Sequence, residues 1–307
     1  MTRAVTILVV ASMIGAQTTL LSAQSNDSRA LFDRISWSTG PADGPLGTVG
    51  QVRVPPFCRF TGEKGAKTFM EATENPPSGN EVGVLLCASA SDSSQWFVVF
   101  SYDASGLVRD DEKGKLDQAA ILSTIQRGTE AGNKERRQRG WEEIEVAGWE
   151  RAPYYDTTTR NLTWSTRVKA KGASEVSVNH SVRLLGRGGV MHADLVAGQE
   201  ELASAVAAFD GIVSEFEYLP GSRYSEWREG DKVAEYGLTA LIAGGAGAAA
   251  VKLGLFGKMW KFIVALVLAL KKLIIVGVLA VVAFVKRLFG GKTNEPANAG
   301  VGGDTSK

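Results

Sequence analysis

Apolar and polar positions alternate along most of the chain, and the period of that alternation marks out its elements. Period two, with β-branched and aromatic residues, predicts strands at Thr48–Val54, Val82–Ala88, Trp96–Tyr102, Ile144–Trp149, Leu162–Lys169, Val176–Leu185, Gly189–Ala197 and Ile212–Leu219. A short extended piece is expected at Cys58–Phe60. The run Gln95-Trp-Phe-Val-Val-Phe-Ser-Tyr102 is the densest of these and predicts a central strand. Helical periodicity predicts helices at Gly65–Asn75, at Lys115–Arg139 and at Gln199–Phe209. The long one carries Ala119, Leu122, Ile125 and Thr129 on one face, and the last carries Leu202, Val206 and Phe209. Gly40-Pro41, Gly44-Pro45, Pro55-Pro56, Pro76-Pro77, the stretch Asp156–Asn161 and Gly186-Arg187-Gly188 punctuate them as turns. Acids at Asp110-Asp111-Glu112 and bases at Lys134, Arg136, Arg137 and Arg139 complement the long helix's dipole, and Gly140 is its expected C-terminal stop.

Hairpins with helices between them indicate an α+β domain with an antiparallel sheet and packed helices. The order hairpin, hairpin, helix, strand over Leu162–Leu219 is similar to that of Mog1/PsbP-like α/β/α sandwiches.

Two other stretches are apolar without a core's alternation. Met1–Ala23 has Arg3, the apolar run Ala4–Ala16 and small residues at Leu21-Ser22-Ala23, the layout of a cleaved signal peptide. The second is Tyr236–Gly291. It holds a first block, Gly237–Val251, and a second, Phe262–Val285, whose 24 residues are long enough to span a bilayer. Lys271 and Lys272 at its centre cost about 5–7 kcal/mol together, and its Leu, Ile, Val and Phe side chains return about 5–10, so insertion needs lysine snorkelling or a partner helix. A helix lying in the headgroup plane, with Lys258, Lys261, Lys272, Lys286 and Arg287 along one stripe, is the competing geometry. In the first block Ala240, Gly244 and Ala248 lie four apart, the spacing at which lipid-embedded helices approach closely and self-associate. This small-residue content, with no polar spacer after Gly230-Asp231, favours a two-helix hairpin over a single span. The expected organisation is therefore a signal peptide at 1–23, a domain at 24–220, a polar juxtamembrane linker at 221–235, an anchor of one or two helices at 236–291 and a tail at 292–307.

The overall charge of +1 conceals an asymmetry. Gln24–Glu235 holds 24 Lys and Arg against 31 Asp and Glu, whereas Tyr236–Asn294 holds eight bases and no acid. An acidic domain lacks the positive footprint that nucleic acid requires. The basic tail suits anionic lipid. Cys58 and Cys87 are the only cysteines, and in an exported chain they either form a disulfide or stay as two buried thiols. His180 and His192 are the only histidines, twelve apart, without the spacing of a metal site. No cofactor is implied. Gly245-Ala-Gly247-Ala-Ala-Ala250 matches a dinucleotide-binding pattern in form alone, since no strand precedes it.

An ordered set of strings runs along the chain: Trp37-x-x-Gly40-Pro41, Val54-Pro55, Gly106-Leu-Val-Arg-Asp110-Asp111, Asn133-x-x-Arg136-x-x-x-Gly140, Gly148-Trp149-x-x-x-Pro153-x-Tyr155-Asp156, Leu162-x-Trp164, Leu184-Leu185-Gly186-Arg187-Gly188-Gly189, and Gly230-Asp231-Lys232-Val233-Ala234-x-Tyr236-Gly237-Leu238. Together they resemble the bacterial DUF2167 family of predicted membrane-anchored proteins. The resemblance implies a Gram-negative envelope protein of uncharacterised function. A cleaved signal peptide would then place the domain outside the inner membrane, in the periplasm, with the tail as its anchor. The resemblance supplies no catalytic residues. Cys58 and Cys87 depart from the usual pattern, so a bridge between them would be local to this chain.

Site candidates follow from residue chemistry. Asp110 and Asp111 could ligate a divalent cation, although a solvated acidic turn is the commoner use of such a run. Trp149, Tyr154, Tyr155, Asp156 and Trp164 could line an aromatic groove for a sugar or peptide, or pack as a hairpin core. Arg187 could hold an anion or pair with an acid such as Asp194. Asp231 could cap a helix beginning near Tyr236. Two functional classes result. One is a non-enzymatic envelope module that binds lipid or a protein partner. The other is a hydrolase acting on envelope material through carboxylates such as Asp110, Asp156 or Asp194.

Overall fold

Strand β5 (Glu81–Ala88) pairs with β6 (Gln95–Asp103), and the rest of a large sheet grows outward from this pair. The computed structural model describes residues 28–88, 95–114 and 116–244. The expected signal peptide, residues 245–251 of the first apolar block and all of the second block lie outside these residues. The chain divides into two units, Met1–Ala250 and Val251–Lys307, and every described residue falls in the first. Among the described residues no helix is long and apolar enough to cross a membrane.

The large sheet has eight strands in the order β1 (Ser38–Thr39), β4 (Cys58–Gly62), β5, β6, β10 (Val190–Gly198), β9 (Ser177–Leu185), β8 (Asn161–Ala170), β7 (Ile144–Asp156). Each neighbouring pair is antiparallel. This is the α+β architecture with an antiparallel sheet that the periodicity predicts. On β6, Trp96, Val98 and Phe100 point to one face and Phe97 and Val99 to the other, and all five are buried. Both faces therefore need covers.

On one face α1 (Glu63–Ala72) lays Ala66, Phe69 and Met70 on Val84, Leu86, Phe97 and Val99. Beside it α2 (Gln118–Gln138) lays Ile121 and Ile125 against Val146, Leu162, Trp164 and Val168. The opposite face is covered by Ala205, Phe209 and Ile212 of α3 (Leu202–Ser214). A second sheet of three strands, β11 (Glu217–Tyr218), β3 (Gly50–Val54) and β2 (Ala42–Leu46), lies beside α3.

Several sequence expectations shift. Ala42–Leu46 is a strand, not only a turn; its Pro45 is tolerated because β2 is the edge of the small sheet. Strand β7 continues through Pro153 to Asp156 for the same reason, with register shifts after Val146, Trp149 and Arg151. Residues 212–214 extend α3, leaving only Glu217–Tyr218 as strand, because Ile212 repeats the helical spacing of Ala205 and Phe209. The buried stripe of α2 is Ile121, Ile125, Thr129, Asn133 and Arg136, while Ala119 is exposed. Its N-cap is Asp117, whose Oδ1 accepts from Ala120 N at 2.9 Å; the acids at 110–112 lie in the preceding turn.

The stretch 221–235 carries a 3₁₀ turn, Tyr224–Glu226, and is tied to the domain rather than hanging from it. Beyond it Tyr236 and the short helix α4 (Leu238–Ile242) are buried with Val108, Ile121, Trp164, Leu185 and Val190. The first apolar block thus joins the domain at its start, contrary to the expectation of a hairpin entering lipid directly.

The polar end of α2's stripe closes the sheet's edge. Asn133 Nδ2 donates to Ile144 O at 2.9 Å, and Asn133 Oδ1 accepts from Ile144 N at 3.0 Å. Gln126 Nε2 donates to Val146 O at 3.1 Å, and Arg136 Nε donates to Glu142 O. These side chains take the backbone groups of Ile144 and the C=O of Val146, where a ninth strand would otherwise start to pair. Arg136 Nη1 also reaches Glu74 O at 2.8 Å, just after α1. Asn133→Ala strands the buried N–H and C=O of Ile144 and should cost roughly 2–3 kcal/mol. Urea unfolding of the variant measures this; a loss below a few tenths would show that water takes over both bonds.

Candidate functional site

The strings at 106–111, 184–189 and 230–238 meet at one end of the large sheet, where β6 ends, β9 turns into β10 and the chain runs on to α4. Loop 104–112 and segment 230–239 lie side by side. Leu107 and Val233 form a parallel bridge, with Leu107 N donating to Lys232 O and Ala234 N to Leu107 O, both at 2.9 Å. Gly106 N donates to Gly188 O at 3.0 Å. Gly106 has φ +97°, and a Cβ there would fall 2.6 Å from Lys232 O, so only glycine allows this approach.

Arg187 sits in the β9–β10 turn and grips Asp231 with two bonds, Nε to Oδ2 at 2.7 Å and Nη2 to Oδ1 at 2.9 Å. Arg228 N adds a third bond to Oδ2 at 2.7 Å. The Arg187 hydrogen bond, then the Arg228 amide, hold the Asp231 carboxyl down to a pKa of about 2. The same pair raises Arg187 above its ordinary value. Arg187 therefore pairs with Asp231, not Asp194, and Asp231 caps no helix. The cap of α4 is Glu112, whose Oε2 accepts from Thr239 N at 2.9 Å. A Cβ on Gly237 would lie 2.7 Å from the Glu112 carboxyl carbon. Tyr236 donates its hydroxyl to Asp103 Oδ2, and burial, then that hydrogen bond, push the phenol's pKa up.

Beside this clamp lies a group of charges and rings. Arg160 adopts φ +58° in the β7–β8 turn, and its guanidinium stacks 4.9 Å from the Tyr224 ring centroid. Tyr155 has a buried hydroxyl with no hydrogen bond of ordinary geometry; burial, then the nearby Asp110 carboxylate, push its pKa up. Asp110 also pairs with Lys113 at 3.3 Å. Burial, then Asp110, raise Tyr224 likewise, and Arg160, Asp111 and Arg109 contribute to its surroundings.

The other candidates go elsewhere. Asp156 accepts from Thr158 N and Thr159 N at 2.7 and 3.3 Å, which shapes its turn and lowers its pKa. Trp164 is buried, with Arg183 stacked 4.6 Å from its ring. Trp149 donates Nε1 to Gln118 O at 3.3 Å and packs, like Tyr155, on the core under α2. Tyr154 is exposed and stacks with Arg151 at 4.2 Å. No shared aromatic groove results.

Asp194 takes Ser181 Oγ at 2.6 Å and Arg183 Nη1 at 2.9 Å in the middle of the sheet. The proposed carboxylates Asp110, Asp156 and Asp194 are thus committed to separate partners. His192 lies across from Arg183 on that face, whereas His180 lies on the α3 face with Ser165 Oγ 2.7 Å from its Nδ1. Both imidazoles are pushed below their usual pKa by burial. Among the described residues no three His, Cys, Asp or Glu side chains converge as a metal site. Cys58 and Cys87 face each other across β4 and β5 with Cα atoms 4.1 Å apart and are joined in a disulfide. Their backbone groups point away from each other, since Cys58 bonds to Pro55 and Gly40 instead. A recess of about 130 Å3 lies beside the disulfide, and one of about 230 Å3 lies between α2 and the start of β7.

Sequence reasoning missed Tyr218. Its hydroxyl donates to Leu184 O at 2.7 Å and accepts from Met191 N at 2.8 Å, locking the small sheet to the β9–β10 hairpin. It also missed Arg183, although the one Lys, Arg, Asp or Glu in β9 signals a buried partner.

The sequence matches the family described as "Protein of unknown function (DUF2167)" over residues 38–282. The chain belongs to DUF2167. The match takes in the whole clamp and most of the apolar tail of this DUF2167 member. No curated protein matches it. Its structure is similar to the solution structure of cyanobacterial PsbP (CyanoP) from Synechocystis sp. PCC 6803, at 15% identity and a TM-score of 0.33, covering 60% of this chain and 92% of that one.

The clamp can be opened at one charge. Asp231→Asn loses the ion pair, so trypsin should cut after Arg223, Arg228 and Lys232 several-fold faster than in the wild type at pH 7. In the wild type the depressed carboxyl pKa contributes stability that is full above the ordinary carboxylate range and is lost as pH falls towards about 2. Neutral or mildly acidic pH should therefore leave the segment closed. Equal cleavage rates in both proteins would assign the closure to the Leu107–Val233 bridge alone.

Proposed function

We propose that this DUF2167 member is an exported domain held at the inner membrane by its apolar tail, facing the periplasm, and that it works as a non-enzymatic binding or interaction module. The observation that carries this reading is the destination of the polar residues around the clamp. Arg187, Asp231, Asp103, Tyr236 and Glu112 bond to one another or to backbone. They join the segment before the tail to the sheet, which is the task of a mount rather than of a reaction centre. Anionic lipid is the partner suited to the basic tail, and an envelope protein is the partner proposed for the domain. A Mog1/PsbP-like fold belongs to the same reading.

The join also bears on the number of spans. With residues 237–243 held by the domain, the first block has only 244–251 left before Lys252. Eight helical residues reach about 12 Å, against a hydrocarbon core of about 30 Å. We therefore favour one span, Phe262–Val285, which puts Lys286, Arg287 and Lys292 in the cytoplasm as the positive-inside rule prefers.

Single cysteines at Ser225 and Thr305, probed with an impermeant thiol reagent on intact spheroplasts, test both points. Cys58 and Cys87 can stay, being bridged and buried. Labelling at 225 alone is expected. Labelling at both positions would mean two spans, and labelling at neither would place the domain in the cytoplasm. Retention of the protein in the membrane pellet after an alkaline wash is the companion result; quantitative release would sink the anchor.

A further inference from the structure

We propose that α3 is an acid-released cover: protonation of His180 beneath Phe209 frees the helix from the sheet and bares the apolar face of β9 and β10. The inference concerns the domain itself and does not rest on how the chain meets the membrane.

The geometry is a trapped imidazole. His180 is 3% exposed on the face of β9 that α3 covers, and the Phe209 ring meets it edge to face with centroids 5.5 Å apart. Ser165 Oγ occupies Nδ1 at 2.7 Å, and Nε2 is closed off from solvent with no partner. Either neutral tautomer satisfies Nδ1 and leaves Nε2 idle. The imidazolium must place a second N–H, now charged, where nothing accepts it.

The charged groups around His180 do not supply that acceptor. Asp210 on α3 favours the charged form but is exposed to water. Arg151 on β7 opposes it. Asp194 on β10 favours it weakly and is already engaged by Ser181 and Arg183. Arg167, exposed on the Ser165 face of β8, adds another positive charge. Contact with the Phe209 ring returns less than a buried charge costs. The remedy within reach is to move α3, which brings His180 into water.

Helix α3 is the cover least able to resist. It buries only Ala205, Phe209 and Ile212. No side chain caps its N-terminus, its first turn has no acid and its last turn no base. Thirteen residues are marginal as a free helix, so α3 persists through its packing. Beneath it lie Val182, Leu184, Ala193 and Leu195, a continuous apolar strip.

Hydrogen exchange of the full chain in detergent micelles tests this. Exchange across 202–214 is followed at pH 7.5 and 5.5 and divided by the intrinsic rate at each pH. The closed state binds the proton less well than the open one, so opening rises as pH falls, to at most about tenfold at pH 5.5. In His180→Gln the rise should vanish; in His192→Gln, whose site lies on the other face, it should persist. If the Gln variant does not fold, His180→Leu is read in the same way. A wild type that shows no rise, or a His180 variant that keeps it, overturns the proposal.

Discussion

The constraint behind this fold is a sheet whose central strands are apolar on both sides. Strands β6 and β10 each bury residues towards both faces, so neither face can be left to water. The covers come from every part of the chain: α1 and α2 from between strands, α3 and the small sheet from the two flanks, and residues 236–242 from beyond the last strand. The charged pair in that interior is held by its neighbours. Asp194 is held by Ser181 and Arg183, and Arg183 in turn lies on Trp164. Removing one member would leave an unpaired charge, which costs more than the pair contributes.

Edges are the second demand, and the chain meets it with different devices. On one side β1 is only two residues long. On the other, β7 is long enough to invite pairing, and its start is blocked by amide and guanidinium groups from α2. Its second half carries Pro153 and the register shifts. Both are features that discourage an added strand. The string Asn133-x-x-Arg136 therefore has a structural use: two side chains nearly one turn apart reach Ile144 at the start of β7 and Glu142 just before it.

Hairpins were legible because period-two burial and glycine turns are local signals. The face of α2 was not, since three of the five residues in its buried stripe are polar and periodicity counts only apolar residues. The strand expected over 212–219 failed where Ile212 and Val213 satisfied both periods and the packing of Phe209 chose the helical one. At the candidate site the sequence named Arg187, Asp231, Asp110 and Tyr155 but could not pair them. Arg187 and Asp231 are 44 residues apart, and nothing local distinguishes Asp231 from Asp194 as the partner. Polarity was misleading over 221–235, because a segment can be polar and still be fastened along its length.

That fastening is one of register more than of surface area. Leu107 meets Val233 by backbone bonds, Arg187 fixes Asp231, and Asp103 fixes Tyr236. The three contacts are spaced along a stretch of six residues, so they hold together only in one alignment. Gly106 and Gly237 stand where the two segments come closest, and neither has room for a Cβ. A substitution at an exposed position between them, such as Glu235, leaves that alignment intact. A single inserted residue does not, because it moves Tyr236 off Asp103 or Asp231 off Arg187. The place where the chain leaves the domain is thus set by the spacing of these residues, and the same spacing presents the start of the apolar tail in one direction.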